Sequence, residues 1–251
     1  EDEELRAYYR MMSALRGSGA DVVHISPSHH YPTGLVMPIG RRQELLRWAQ
    51  EVPERVILED DYDSEFRFVG RPIPTLFSID GGEQVIYLNT FSKTIAPSIR
   101  ISFMVLPRRL LADFRQKLGF YACTVSAFEQ YTLSQFLSGG WYEKHLSRMR
   151  KHYRQKRDAV IAAVRKSPLA PYAAITEEDA GLHFLLRLDG APPDDVLRRA
   201  AEERGIRLAM LSDYYQSPCE APQHVLVVNY TGIDTEKLPT ALARLAELWP
   251  S

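Results

Sequence analysis

The sequence predicts an α/β fold in which a mostly parallel, wrapped sheet is joined to a smaller C-terminal α+β lobe. Three observations support this prediction. Short apolar runs of strand length alternate with segments of helix length, which is typical of parallel strands joined by crossover helices. Polar residues follow these apolar runs, at the strand ends where ligands bind in α/β sheets. After Pro168 the pattern changes, and a second, shorter alternation begins.

The first part of the chain contains most of the predicted elements. Residues 1–17 place their apolar side chains on one stripe of a helix, and residues 20–26 form an apolar run that indicates a buried strand. Further strands are predicted at 55–60, 83–90 and 100–107, and further helices at 41–52, 108–120, 126–137 and 141–166. This order predicts a partial large domain over residues 1–164.

The second part is predicted as a small domain over residues 165–251, connected to the first by the long helix. Its strands are expected at 181–188 and 224–232, and its last helix at 235–249. The helix at 192–205 begins with proline and ends at glycine, which is the usual asymmetry of helix ends.

Composition and charge exclude several classes of protein. Hydrophobic residues make up 45% and charged residues 25% of the 251 residues, which excludes disordered and collagen-like chains. With 31 basic and 32 acidic residues, a basic footprint for nucleic acid over the whole chain is absent. No apolar run is long enough to span a bilayer, so we expect no membrane contact. The two cysteines, Cys123 and Cys219, have no metal or redox spacing and indicate a cytoplasmic protein.

Lys93 is the first candidate for chemistry. It follows a predicted strand and lies beside the hydroxyl side chains of Thr90 and Ser92. A lysine at a strand end can lose solvation and act as a nucleophilic amine. Alternatively, Lys93 is an ordinary surface lysine of a loop.

Asp60 and Tyr62 end the second predicted strand. A carboxylate at a buried strand end needs a cationic partner or hydrogen-bond donors. A protonated pyridine nitrogen is one such partner, and a tyrosine hydroxyl can hold a phenolic oxygen on the same ring. The acids within residues 59–63 leave two alternatives open: a solvated loop, or a Mg²⁺ or Ca²⁺ site without the glycine spacing of an EF-hand.

Arg100 completes the pattern at the start of the next predicted strand. Together with the hydroxyls of Thr90 and Ser92, its guanidinium suits a phosphate dianion, although a strand-flanking charge is the alternative. The combined set describes a site for pyridoxal phosphate. This cofactor needs a lysine for its Schiff base, an acid on the ring nitrogen, a hydroxyl on O3′ and cationic contacts to its phosphate.

Longer motifs resemble a known family. They are PSHHYPTG (27–34), MPIGRRQELLRWA (37–49), EDDYDSEF (59–66), NTFSKTIAPSIRISFMVLP (89–107) and AGLHFLLRL (180–188). These segments resemble the aminotransferase-like domain of MocR-type regulators in the GntR superfamily, over about residues 20–250.

The resemblance implies a fold-type-I pyridoxal phosphate-dependent fold, a homodimer and the cofactor on Lys93. By motif position, Asp60 would contact the pyridine nitrogen and Tyr62 the O3′ oxygen. The other positions implied by the motifs are Arg100, Thr90 and Ser92 around the phosphate, and His29 and Tyr31 along the ring and substrate side.

Three departures from the family shape the expected function. The winged helix-turn-helix and the first part of the aminotransferase fold are missing from this sequence, so we expect a fragment that reaches DNA only through that absent domain. Tyr31 stands where aminotransferases usually have asparagine. Val227 stands where they have a carboxylate-binding arginine, although Arg187 or Arg207 is an alternative partner for a carboxylate.

The resulting prediction is the cofactor-binding, effector-sensing and dimerisation domain of a MocR-type transcriptional regulator, with little turnover. Its effector would be an amine, an amino acid or the cofactor itself. The alternative is a working aminotransferase acting on an amino acid or amine. A third hypothesis, an interaction module, depends only on the basic residues of segment 145–167.

Overall fold

The computed structural model describes residues 2–70, 73–81, 83–217 and 221–249, and only the backbone of residues 2–9. Cys219 lies outside the described residues, whereas Cys123 is an exposed free thiol. The chain divides into two compact units. The first contains Glu1–His30, Val36–Ser64 and Arg71–Leu146, and the second contains Tyr31–Leu35, Glu65–Gly70 and Ser147–Ser251. The domain boundary after residue 164 stays a prediction.

The sheet of the first unit confirms the predicted α/β class. Strands β1 (Val22–Ile25), β2 (Val56–Asp60) and β3 (Val85–Thr90) are parallel neighbours in that order. Strand β4 (Ser102–Val105) pairs antiparallel with β3, so that Thr90 lies opposite Ser102. The carboxyl ends of β1, β2 and β3 therefore lie at one edge of the sheet, which we call the carboxyl edge.

Among the described residues of the first unit, six helices precede the long helix α7 (Trp141–Lys166). They are α1 (Asp2–Ser18), α2 (Ile39–Gln50), α3 (Leu76–Asp80), α4 (Phe91–Thr94), α5 (Leu111–Leu118) and α6 (Ala127–Ser138). The core lies where α1, α2 and α3 cover the sheet, with Trp48, Leu45 and Ile57 inaccessible to solvent. The two shortest helices, α3 and α4, were not predicted because a single turn shows no apolar periodicity.

The second unit contains an antiparallel sheet of strands β5 (Ala173–Thr176), β6 (His183–Leu188) and β7 (Val225–Asn229), in that order. Its helices after α7 are α8 (Asp194–Glu203) and α9 (Leu238–Ala246). Phe184, Leu188 and Tyr230 are buried. Strand β5 was not predicted, because four residues with a partly exposed pattern resemble a loop in sequence.

Several basic side chains of α7 hold backbone carbonyls of the second unit. Arg154 donates to Phe68 O at 2.9 Å, Arg157 to Glu178 O at 2.7 Å, and Lys156 to Thr231 O at 2.7 Å. These contacts are intramolecular and stabilise the unit. They weaken the hypothesis that the basic segment is primarily a surface for a partner.

Four strongly exposed aromatic side chains follow β4 in the first unit. We call Phe120, Tyr121, Phe128 and Tyr131, each between 69% and 80% exposed, the exposed aromatic set. Helices α5 and α6 bury none of their own residues. Across the described part of the chain, no helix combines the length and apolar character needed to cross a membrane.

Candidate functional site

The carboxyl edge of the first unit gathers most of the residues that the sequence singled out. Asp60 is the last residue of β2 and Thr90 the last of β3, and β2 and β3 are adjacent parallel strands. Lys93 follows Thr90 within α4, and His29 lies in the loop after β1. Tyr31 belongs to the second unit and is described with it.

Glu59 is fully buried and holds the start of α3. Its carboxylate accepts hydrogen bonds from Leu76 N at 2.8 Å and Phe77 N at 2.9 Å, and it lies 3.9 Å from the Arg42 guanidinium. Burial raises the pKa of Glu59, while the backbone N–H donors and Arg42 act in the opposite direction. This acid therefore has a structural role that sequence reasoning missed.

Asp61 and Asp63 are also buried, and each has its own partners. The Asp61 carboxylate accepts from the hydroxyls of Tyr87 and Ser64, both at 2.7 Å. Asp63 accepts from His29 Nδ1 at 2.9 Å. Over the described residues, no cluster of three or more His, Cys, Asp or Glu side chains has an arrangement that would hold a metal ion.

Asp60 differs from the other three acids because its side chain is 35% exposed. The imidazole of His24 on β1 lies beside it, with Nε2 3.5 Å from Asp60 Oδ2. Burial raises the pKa of Asp60 above its ordinary value, and the nearby Asp61 and Asp63 act in the same direction, while His24 lowers it. A carboxylate in this environment gains from a further cation at the carboxyl edge.

We expect the Asp60→Asn variant to be more stable than the wild type at neutral pH, when no cofactor is present. A raised pKa means that the folded protein binds the Asp60 proton more tightly than the unfolded chain does. Stability therefore falls as the pH rises from the ordinary pKa of about 4 through the folded value. The asparagine variant lacks this loss, so its advantage should grow from acidic to neutral pH.

Urea unfolding between acidic and neutral pH measures this difference. Glu203→Gln, at an exposed position of α8, serves as the control. If the stability advantage of Asp60→Asn over the wild type shrinks as the pH rises, the pKa of Asp60 is not raised in the folded protein.

Lys93 is exposed on the single turn of α4, directly at the carboxyl edge. Thr90 caps this helix: its Oγ1 accepts from Ser92 N at 3.1 Å and its hydroxyl donates to Ile101 O at 3.1 Å. At the other end, His145 of α7 donates from Nε2 to Thr94 O at 2.9 Å, since a carbonyl only accepts. Both ends of α4 are thus held, which positions Lys93.

Arg100 is exposed and has a backbone φ of 49°, in the left-handed region that favours glycine. Such a conformation costs about 1–3 kcal/mol in a non-glycine residue and is found preferentially at functional sites. It precedes Ile101, whose carbonyl accepts from both Phe91 N and Thr90. The strained residue therefore lies beside the turn that carries Lys93.

Arg42 holds the loop that contains His29, and sequence reasoning missed it. The guanidinium is inaccessible to solvent and donates to Met37 O at 3.0 Å, Pro27 O at 2.8 Å and Pro74 O at 2.9 Å. Met37 N also donates to Pro27 O, so both ends of the loop are closed together. The available signal was a pair of arginines at the start of an otherwise amphipathic helix.

Tyr31 is part of an aromatic cluster in the second unit. Its hydroxyl lies 2.6 Å from the Tyr214 hydroxyl, and its ring packs edge-on against Tyr214 and against buried His183. Burial and the Tyr214 contact raise the pKa of Tyr31 to about 12. Tyr31 is therefore a neutral phenol at physiological pH, and Tyr214 is a neighbour that sequence reasoning missed.

Val227 is buried in β7 and packs with Leu211 and Val225. Of the two alternative arginines, Arg187 is exposed and pairs with Asp189 at 3.0 Å, and Arg207 is exposed. Val227, which the motifs predict to replace a carboxylate-binding arginine of aminotransferases, is thus an apolar core residue of this unit.

A comparison with protein families decides the classification. Residues 11–245 match the model of the family described as aminotransferase class I and II. The chain belongs to the aminotransferase class I and II family. Because this match covers almost the whole chain, the fold-type-I architecture predicted from the motifs is confirmed.

Among curated proteins, this family member is 38% identical over 228 residues to the uncharacterized HTH-type transcriptional regulator YhdI of Bacillus subtilis. It is 36% identical over 218 residues to the probable rhizopine catabolism regulatory protein MocR of Rhizobium meliloti. These matches cover 91% and 86% of this chain but 48% and 43% of the two relatives. The chain thus spans about half the length of these relatives, and the predicted resemblance to MocR-type proteins is confirmed.

Among solved structures, the chain is similar to kynurenine aminotransferase of Pyrococcus horikoshii, which was crystallised with PMP. The TM-score is 0.81 at 27% identity, over 97% of this chain and 60% of that enzyme. Family and fold indicate pyridoxal phosphate as the cofactor. The carboxyl edge fits this group, because an exposed lysine, a partly exposed carboxylate and a strained arginine lie at successive strand ends.

Proposed function

We propose that this chain is the pyridoxal phosphate-binding, effector-sensing and dimerisation domain of a MocR-type transcriptional regulator. The observation that carries the proposal is the placement of Lys93, Asp60 and Arg100 around one sheet edge. The similarity to HTH-type regulators over about nine-tenths of the chain supports the regulatory context. In the full-length protein, DNA binding is assigned to a winged helix-turn-helix domain outside this chain, and the location to the cytoplasm.

The proposed roles follow the chemistry of each side chain. Bound pyridoxal phosphate supplies an electrophilic aldehyde and an electron-withdrawing ring. Lys93 provides the amine that binds the aldehyde, and Asp60 provides the negative charge that keeps the ring nitrogen protonated. Tyr62 donates its hydroxyl to the O3′ oxygen.

The phosphate is assigned to Arg100 and Ser92, with Thr90. A contact of Thr90 with the phosphate requires its hydroxyl to rotate away from Ile101 O. His29 and Tyr31 are assigned to the ring and substrate side. Tyr31 presents a neutral hydroxyl, with the Tyr214 hydroxyl 2.6 Å away, and this suits an effector that carries hydrogen-bonding groups rather than a second anion.

We expect Arg100→Ala to bind pyridoxal phosphate about one to two decades more weakly than the wild type. A hydrogen bond to a charged group contributes roughly 1.5–3 kcal/mol, which converts to this range of affinity. Equilibrium titration followed by absorbance measures the change.

Arg108→Ala is the matched control for this titration. Arg108 is an exposed arginine that follows antiparallel β4 and so lies beyond the opposite edge of the sheet. If Arg100→Ala and Arg108→Ala bind the cofactor equally tightly, the phosphate does not bind at Arg100.

The experiment that tests the function is a panel of amino donors offered to the full-length protein loaded with cofactor. We expect no multiple turnover with α-amino acids, because Val227 offers no cation and an unpaired buried carboxylate is strongly unfavourable. In parallel, amines and amino acids should change the affinity of the same protein for its operator DNA. Turnover at about 1 per second or faster would instead establish the alternative, a working aminotransferase.

The dimerisation part of the proposal concerns the exposed aromatic set of Phe120, Tyr121, Phe128 and Tyr131. Aromatic side chains bury about 150–250 Å² each, so four of them supply a large share of the ~800 Å² per partner of a standard interface. We propose a second copy of the chain as its occupant, and light scattering of the full-length protein measures the expected dimer mass.

A further inference from the structure

A buried histidine–carboxylate pair lies behind the carboxyl edge. His29 and Asp63 are 1% and 2% exposed, and His29 Nδ1 lies 2.9 Å from Asp63 Oδ2. The same Nδ1 atom lies 3.4 Å from the hydroxyl oxygen of Tyr62. His29 lies in the loop after β1, whereas Tyr62 and Asp63 lie in the segment after β2. Both Tyr62 and Asp63 thus contact the Nδ1 atom of His29.

The chemistry of the pair determines where its proton lies. A carboxylate oxygen accepts and an imidazole N–H donates, so we assign the proton of this contact to His29 Nδ1. This assignment is the same for a neutral and for a protonated imidazole. Tyr62 faces the same N–H and acts there as a weak second acceptor, so its own O–H proton is directed away from His29.

We propose that Asp63 is a positioning residue that acts through His29 to orient the Tyr62 hydroxyl toward the O3′ oxygen of pyridoxal phosphate. The inference rests on the proposed function, in which Tyr62 is the O3′ donor. Without Asp63, the imidazole is able to adopt its other tautomer, and Nδ1 becomes an acceptor. Tyr62 then donates to His29, and the O3′ oxygen loses its donor.

Loss of the hydrogen bond from Tyr62 to O3′ is expected to shift the pH midpoint of the cofactor absorbance in a predictable direction. A hydroxyl donating to O3′ binds more strongly when the neighbouring imine nitrogen has lost its proton, because the phenolate charge is then uncompensated. This donation lowers the pH midpoint of the absorbance change of the bound cofactor, and its loss raises the midpoint. Removing a nearby negative charge lowers the midpoint, because the protonated imine nitrogen then loses a stabilising interaction.

Charged groups near His29 and Asp63 also affect the midpoint, so the test needs a control for them. Asp63 and Asp61 both act electrostatically on Asp60, and His29 acts on His30. Asp61→Ala is therefore the matched control: it removes a neighbouring buried acid that binds Tyr87 and Ser64 instead of His29. Its midpoint is expected to fall or stay unchanged.

The experiment is a pH titration of the visible absorbance of the cofactor-loaded protein. Tyr62→Phe and Asp63→Ala should each raise the midpoint, on the order of one unit. The double variant should show no more than the larger single shift, because both changes remove the same hydrogen bond. An unchanged or lowered midpoint in Asp63→Ala, alongside a raised one in Tyr62→Phe, overturns the inference and leaves the proposed function standing.

A second measurement covers the case in which Asp63→Ala fails to fold. ¹⁵N chemical shifts of the histidine side chains in the wild type report which ring nitrogen of His29 carries the proton. A protonated Nδ1 is expected, and an unprotonated Nδ1 overturns the inference. If the wild type gains no visible absorbance, or Tyr62→Phe leaves its midpoint unchanged, the proposed function fails and the inference fails with it.

Discussion

Replacing Lys93 with alanine is expected to abolish the visible absorbance that pyridoxal phosphate acquires on binding to this protein. The absorbance arises from a covalent carbon–nitrogen bond between the cofactor aldehyde and an amine, and alanine has no amine. Lys93 is exposed on α4, a turn held by Thr90 at one end and His145 at the other. The expected effect is complete loss rather than a graded change.

Lys117→Ala is the control for this experiment. Lys117 is a 72% exposed lysine of α5 that pairs with Asp113, so its loss tests unspecific reaction of the cofactor with surface amines. Borohydride reduction followed by peptide mass spectrometry identifies the lysine that is modified. An absorbance band that persists in Lys93→Ala with wild-type intensity would disprove the assignment of this lysine.

The second large effect is expected for Arg42→Ala, which should lose roughly 3–5 kcal/mol of unfolding free energy. The Arg42 guanidinium satisfies three backbone carbonyls and lies 3.9 Å from buried Glu59. Removing it leaves those carbonyls without their charged donor and removes the positive charge near Glu59, whose remaining hydrogen bonds come from two backbone N–H groups. A buried group that loses its partner in this way costs far more than a surface contact.

Two comparisons make the stability measurement specific. Arg41→Ala removes the neighbouring arginine of α2, whose pair with Glu44 is partly exposed, and should cost about 1 kcal/mol or less. Arg42→Met with Glu59→Gln should recover part of the loss, because the unpaired charge is then removed. Urea unfolding of the unliganded protein measures all variants, and a loss for Arg42→Ala no larger than that for Arg41→Ala would contradict its buried role.

The local pattern of the sequence was sufficient to predict the fold class and the edge at which the candidate residues lie. An apolar run predicts a strand because its length and apolar character are local properties of the sequence, and the carboxyl ends of neighbouring parallel strands share an edge. Helix α7 was predicted with its observed bounds, since a long amphipathic stripe is the strongest local signal. Asp60, Thr90 and Lys93 were placed at their strand ends for the same reason.

The partners of the acidic segment were decided only by the tertiary structure. Glu59, Asp60, Asp61 and Asp63 are chemically alike and nearly contiguous, so their sequence allowed a solvated loop or a metal site as well as a cofactor contact. In the fold, alternation along the strand end and the turn after it aims them at different neighbours. Three of them are buried with their own hydrogen-bond donors, and Asp60 is the one that is partly exposed.

The sequence likewise did not predict three other features. These are the antiparallel direction of β4, the hydrogen bonds of Arg42 to backbone carbonyls and the contact of His29 with Asp63. Arg42 lies 32 residues from Pro74, and His29 lies 34 residues from Asp63. A contact across such a separation depends on how the chain turns between the two residues, and neither residue carries a local signal of its partner. The sequence therefore determined which chemical groups lie at the carboxyl edge. Tertiary packing decided which of these groups form hydrogen bonds with each other.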